Sequence, residues 1–171
     1  MEQNYPEEFK RLTKYVDRKA TKLFRLLGYG VDGLVYSTNK GSAVKAHRGK
    51  SLFEKELRIY QRLDQHPNND FAGFNVPKLL DFHPELWVIE MQFVVTPFAL
   101  DFVGATLDQP SAAIAEQTEE EYAEWEESKI EIFGAEDWQV VQTVISCFRR
   151  IGIHLSDVHK GNIKLREEST E

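Results

Sequence analysis

Cysteine is nearly absent. Cys147 is the only one in 171 residues, so no disulfide can form within the chain, as expected of a protein in a reducing cytoplasm. Positive charge is also scarce. The 21 Lys and Arg face 28 Asp and Glu, for a formal net charge of −7. That balance argues against a nucleic-acid binder, which needs clustered cations for its phosphate contacts. No run of about 18 apolar residues occurs, so neither a membrane-spanning helix nor a membrane partner is expected. The stretch from Met1 to Lys19 is charged throughout and lacks the apolar core of a signal peptide. What is present suits a folded cytoplasmic protein: 42% hydrophobic, 12% aromatic and 29% charged. This is too apolar for a disordered chain and enough for one domain or two small lobes.

Phe9, Leu12, Val16, Leu23 and Leu26 recur at helical spacing, which predicts a leading helix over 7–27. Small and apolar residues then alternate, and Asn39-Lys40-Gly41 marks a tight turn. Strands are expected through Leu34-Val35-Tyr36 and Ala43-Val44-Lys45. Ser51, with Glu54 three residues on, reads as the capped start of a helix over 51–65. Two apolar strands follow, over 76–82 and 86–95, separated by His83-Pro84. Between 108 and 137 the chain is dense in Glu, with Tyr122, Trp125, Ile130 and Phe133 interleaved. This predicts an amphipathic helix with a solvated acidic face. Another amphipathic helix is expected over 138–153. The order of elements is that of an α+β fold in two lobes.

Gly28-Tyr29-Gly30-Val31-Asp32-Gly33-Leu34-Val35 fits G-x-G-x-x-G-x-V. A dinucleotide fingerprint opens a helix, whereas here a strand and hairpin follow. The string therefore reads as a strand-turn-strand flap whose glycines let backbone N–H groups approach phosphates, with Val35 offering an apolar face to a base. Taken alone, it is equally an ordinary Gly-rich hairpin. Lys45, across the hairpin, can reach such phosphates as a point charge. Glu56 on the next helix can pair with it. Glu54 is the rival for that role but is better used at the helix start. Asp157 and Asn162 lie five residues apart on a Gly-containing loop. An Asp can accept a hydroxyl proton, and an Asn can offer its carbonyl oxygen to Mg²⁺. His154, Asp157 and His159 form an alternative metal cluster on the same segment.

In this order the elements resemble the protein-kinase-like superfamily, which includes protein kinases and aminoglycoside or choline phosphotransferases. The resemblance covers about residues 24–165. It implies a protein-kinase-like fold: a five-stranded antiparallel N-lobe with one regulatory-type helix over 1–95, and a reduced, mainly helical C-lobe over 96–171. It also implies ATP and Mg²⁺ as cofactors. Gly28, Gly30, Gly33 and Val35 would lie over the nucleotide, Lys45 and Glu56 would form the phosphate-binding ion pair, Asp157 would be the catalytic-loop aspartate and Asn162 the metal ligand. A hinge around Met91 to Val95, including Met91 and Phe93, would hold the adenine through its backbone. His159, two residues after Asp157, matches the D-x-H-x-G-N loops of small-molecule phosphotransferases, while Leu155 stands where the family carries His.

The family also uses the aspartate of D-F-G as a second metal ligand, and no Asp-Phe-Gly follows Asn162. Glu167 and Glu168 would sit roughly 16 to 20 Å along an outgoing strand, too far to replace it. Without that carboxylate, Mg²⁺ is expected to bind poorly. Two functions follow from the resemblance. One is transfer of the γ-phosphoryl group of ATP to a hydroxyl acceptor. The other is a pseudokinase, a nucleotide-binding or scaffold module that binds a protein partner without catalysis. With the family's later helices absent, Val140, Val141, Val144, Ile145, Phe148 and Ile151 are expected to form an exposed stripe. A protein partner, a second copy or the acidic segment would cover it.

Overall fold

The structure, a computed structural model, describes residues 4–100, 102 and 104–166. The chain forms an α+β arrangement and divides into two units, Met1–Asp64 with Pro77–Phe93 and Gln65–Val76 with Val94–Glu171. The segment 65–76, which the sequence places with the first lobe, belongs to the second unit. No described helix is long and apolar enough to cross a membrane.

The first unit starts with α1 (Pro6–Arg18), with Pro6 in its first turn and Glu7 and Glu8 near its positive end. The helix stops nine residues short of the predicted end at 27 because the chain reverses at Ala20 (φ 48°), and the amide of Thr21 closes back onto the Val16 carbonyl. Leu23 and Leu26 lie instead on β1 (Leu23–Gly30). In a regular strand a spacing of three would put them on opposite faces. A register shift between them restores a common face, and both pack on the core beneath α1. The bulge imitates helical periodicity.

The strands β2 (Gly33–Thr38), β3 (Ser42–His47), β4 (Leu79–His83) and β5 (Val88–Gln92) complete an antiparallel sheet in the order β1-β2-β3-β5-β4. The turn between β2 and β3 falls at Asn39-Lys40-Gly41 as expected, with Gly41 at φ 79°. Alternation sorts the residues of each strand between two faces. On one face Leu12, Tyr15 and Val16 of α1 bury Leu34, Val44, Ala46 and Val88. Each fully buried large side chain there contributes about 1.5–3 kcal/mol. The Tyr15 hydroxyl donates to Glu90 (2.8 Å) and Asp81 (2.9 Å) at the same interface. On the other face, α2 (Lys50–Asp64) lays Phe53, Glu56 and Tyr60 over the odd-numbered residues of β3 and β5. Helix α2 begins at Lys50, so Ser51 lies inside its first turn and is not its cap.

In the second unit, α3 (Ala112–Ala115) and α4 (Glu119–Phe133) precede α5 (Ala135–Arg150). Thr118 and Glu121 form a reciprocal capping box at the start of α4. Of the four expected apolar positions, Phe133 is buried and Trp125 partly so, while Tyr122 and Ile130 are exposed. The inner face of α4 runs instead through Trp125, Glu126 and Lys129, which contact Trp138, Gln142 and the Val158 carbonyl. The stripe on α5 is not exposed. Val141, Val144, Ile145, Phe148 and Ile151 are all buried, and of the predicted set only Val140 stays in solvent. Phe71 and Phe102 place their rings on Phe148, and α4 packs alongside. Phe71 and Phe102 lie far from α5 in sequence, whereas α4 belongs to the acidic segment expected as one possible cover, so the cover comes from within the chain. Two short ladders complete the unit: β6 (Phe98–Ala99) pairs with β9 (Ile163–Lys164), and β7 (Thr106–Leu107) with β8 (Ile153–His154).

Candidate functional site

The candidate residues fall into two constellations, one in each unit. In the first unit Lys45 lies inside β3, which runs on to His47, and not at a strand end. It is buried, and Nζ lies 2.9 Å from Oε2 of Glu56. Glu54, the rival partner, faces solvent and meets Lys50. The carboxylate of Glu56 has a further partner, as His47 Nε2 lies 2.6 Å from the same Oε2. Burial pushes the Glu56 carboxyl up, but the Lys45 charge and then the His47 hydrogen bond outweigh it and hold it down at about 2. Sequence reading missed His47. Its signal was available, because a residue two places from Lys45 on a strand shares its face.

Val35 pairs with Lys45 across the β2–β3 ladder, and Gly28 pairs with Val35 across β1–β2, so these residues follow one another across the sheet. The three glycines differ. At Gly28 and Gly30 a Cβ would meet open space, whereas at Gly33 it would lie 2.1 Å from the Ala46 carbonyl oxygen. Gly33 is therefore required by the packing of β2 on β3. Of the two expected hinge residues, Met91 is buried within β5, and its sulfur accepts from the Tyr60 hydroxyl at 3.0 Å. Phe93, just past β5, is exposed. With Phe24, Leu27, Ser37 and Gly41 it lines an open groove of about 500 Å³.

In the second unit, the loop between β8 and β9 carries Asp157, His159 and Asn162. Asn162 is buried, and its Nδ2 donates to the Asp157 carbonyl (3.0 Å) and to Asp157 Oδ2 (3.1 Å). Its amide nitrogen is thereby spent, so Oδ1 is the atom it can offer a cation. The Asp157 carboxylate is 60% exposed. His159 Nδ1 accepts from the Gly161 amide at 3.0 Å, which places the ring proton on Nε2, 3.4 Å from Asp157 Oδ2. A Cβ on Gly161 would lie 2.7 Å from that ring, so a side chain there would push His159 from its present position. Buried Val158 and the Lys129 bond to its carbonyl pin the loop. The cavity beside Asp157 and Asn162, about 10 Å³, has room for a single water. His154 sits in the β7–β8 ladder, and among the described residues no group of three His, Cys, Asp or Glu is placed to hold a metal ion. This removes the expected alternative cluster of His154, Asp157 and His159. Glu167 and Glu168 lie outside the described residues.

The first constellation can present a fixed cation on an apolar sheet face. The second can accept a proton on a solvent-facing carboxylate whose neighbour offers a carbonyl oxygen. No protein-family model matches the chain, and no curated protein matches its sequence.

Proposed function

We propose that the chain is a protein-kinase-like nucleotide-binding protein that transfers the γ-phosphoryl group of ATP to a hydroxyl acceptor. The observation that carries this reading is the buried 2.9 Å pair between Lys45 and Glu56, on the sheet face it shares with Val35. A lysine held there by a carboxylate stays charged and oriented, as a phosphate ligand must. Gly28 and Gly30, with nothing within reach of a Cβ, leave room for phosphate oxygens beside the backbone. Asp157, with Oδ2 engaged by Asn162, keeps Oδ1 for the proton of the acceptor hydroxyl. Asn162 Oδ1 would be the protein's ligand to Mg²⁺, which when bound neutralises charge developing on the phosphates.

A second reading is a nucleotide-binding pseudokinase, in which the buried Lys45–Glu56 pair holds nucleotide without transfer. Calorimetric melting with and without ATP and Mg²⁺ tests the shared part. ATP should raise the melting temperature, and Lys45→Met should abolish most of that shift. No shift with any nucleotide would reject both readings. Phosphate release or autophosphorylation that disappears in Asp157→Ala selects the transferase, and ATP binding without either selects the pseudokinase.

A further inference from the structure

His47 is a fully buried titratable residue to which the nucleotide reading gives no role. Its ring Nδ1 lies 3.1 Å from the Trp87 carbonyl oxygen, and its Nε2 lies 2.6 Å from Glu56 Oε2. A carbonyl oxygen only accepts, and Glu56, lying against Lys45, is a carboxylate that only accepts as well. A neutral imidazole has one N–H and one bare nitrogen. In either tautomer, the bare nitrogen would press a lone pair in a dry interior against an acceptor: Glu56 Oε2, which already takes Lys45, or the Trp87 carbonyl, which already accepts the His47 main-chain amide at 2.9 Å. Both ring nitrogens are therefore donors.

We propose that His47 is an imidazolium that positions Lys45: by sharing Oε2 of Glu56, it leaves two cations on one carboxylate and a net positive charge for phosphate. The inference rests on the nucleotide reading. A lone Lys–Glu pair carries no net charge, so it attracts a phosphate only as a dipole, an attraction that falls off quickly with distance. The second cation breaks that balance. The groups facing His47 are few. From α2 come Glu56 and the edge of the Phe53 ring, with centroids 5.7 Å apart. Its own strand contributes Lys45. Gly33 lies opposite on β2, and the turn before β5 provides the Trp87 carbonyl. From α1, Arg11 donates to the His47 main-chain carbonyl at 2.5 Å, with Glu8 within 3.9 Å of the same guanidinium.

The ring nitrogens can be read directly by ¹⁵N NMR of the histidine-labelled chain at about pH 6. Two N–H signals, protected from exchange, are expected for His47, and a ring with one bare nitrogen would overturn the proposal. ATP titrations of the wild type and of His47→Gln at about pH 6 provide a second arm. The variant keeps a donor for Glu56 without the charge, and the wild type should bind ATP about tenfold more tightly. Equal affinities overturn the positioning role alone. Absence of ATP binding to the wild type overturns the nucleotide reading and the positioning role together. The ring spectrum needs no variant, so a His47→Gln chain that fails to fold leaves the proposal testable.

Discussion

Glu56 and Asp157 are both carboxylates, and each is bonded to a polar neighbour, yet the fold treats them in opposite ways. Glu56 is 1% exposed and takes a lysine and a histidine on a single oxygen. Asp157 is 60% exposed and is held by one amide from Asn162 and by the geometry of a short loop. A buried carboxylate must be paired to exist as an ion, and removing it strands the charges around it. An exposed one is solvated regardless of its partners, which leaves it available to exchange a proton with a bound molecule. The first kind of group can fix a cation in place, and the second is free to meet solvent or a bound molecule.

The sharpest way to break the comparison is to delete each carboxylate. Glu56→Ala leaves Lys45 and His47 buried without their shared counter-ion, and should lower stability by about 3–5 kcal/mol in urea unfolding at neutral pH. A loss below about 1 kcal/mol would mean that water reaches the cluster. Acid gives a second, smaller separation. The carboxyl of Glu56 is held below its unfolded value, at about 2, so its contribution is complete above an unfolded value of about 4.5. That contribution is lost progressively as pH falls from there towards 2. Glu56→Gln should flatten the stability profile in that window, and an unchanged profile would show that other carboxylates govern acid unfolding. The smallest effect is expected at Asp157. Asp157→Ala should alter stability by no more than about 0.5 kcal/mol, as for other exposed substitutions. A cost matching that of Glu56→Ala would show that the loop carboxylate is structural.

The sequence made much of the first unit legible. Asn39-Lys40-Gly41 between alternating segments gives the β2–β3 hairpin, and Glu56 does pair with Lys45, although Glu54 was set aside for a helix cap that α2 does not use. The misreadings have particular causes. Leu23 and Leu26 looked helical because a bulge carries two residues three apart to one face of a strand. Ser51 looked like a cap because the S-x-x-E pattern occurs, although the helix starts one residue earlier. Gly33 read as a phosphate-approach glycine, but the Ala46 carbonyl packed against it is what demands glycine there. The stripe on α5 looked bare because its covering rings, Phe71 and Phe102, come from segments with no periodicity of their own.

By itself, the sequence determined which groups share a face, because strand and helix periods are local and depend on little beyond the order of residues. Lys45, His47 and the apolar side of α2 follow from it. Only the tertiary structure decided which of those groups are dry. Burial depends on segments brought together from far along the chain: α1 over one sheet face, α2 over the other, Phe71 and Phe102 on Phe148. The energy of a charge depends on the medium around it more than on its identity. That is why one Glu in this chain became the centre of a buried ion cluster, while the Glu-rich α4 remained a solvated surface.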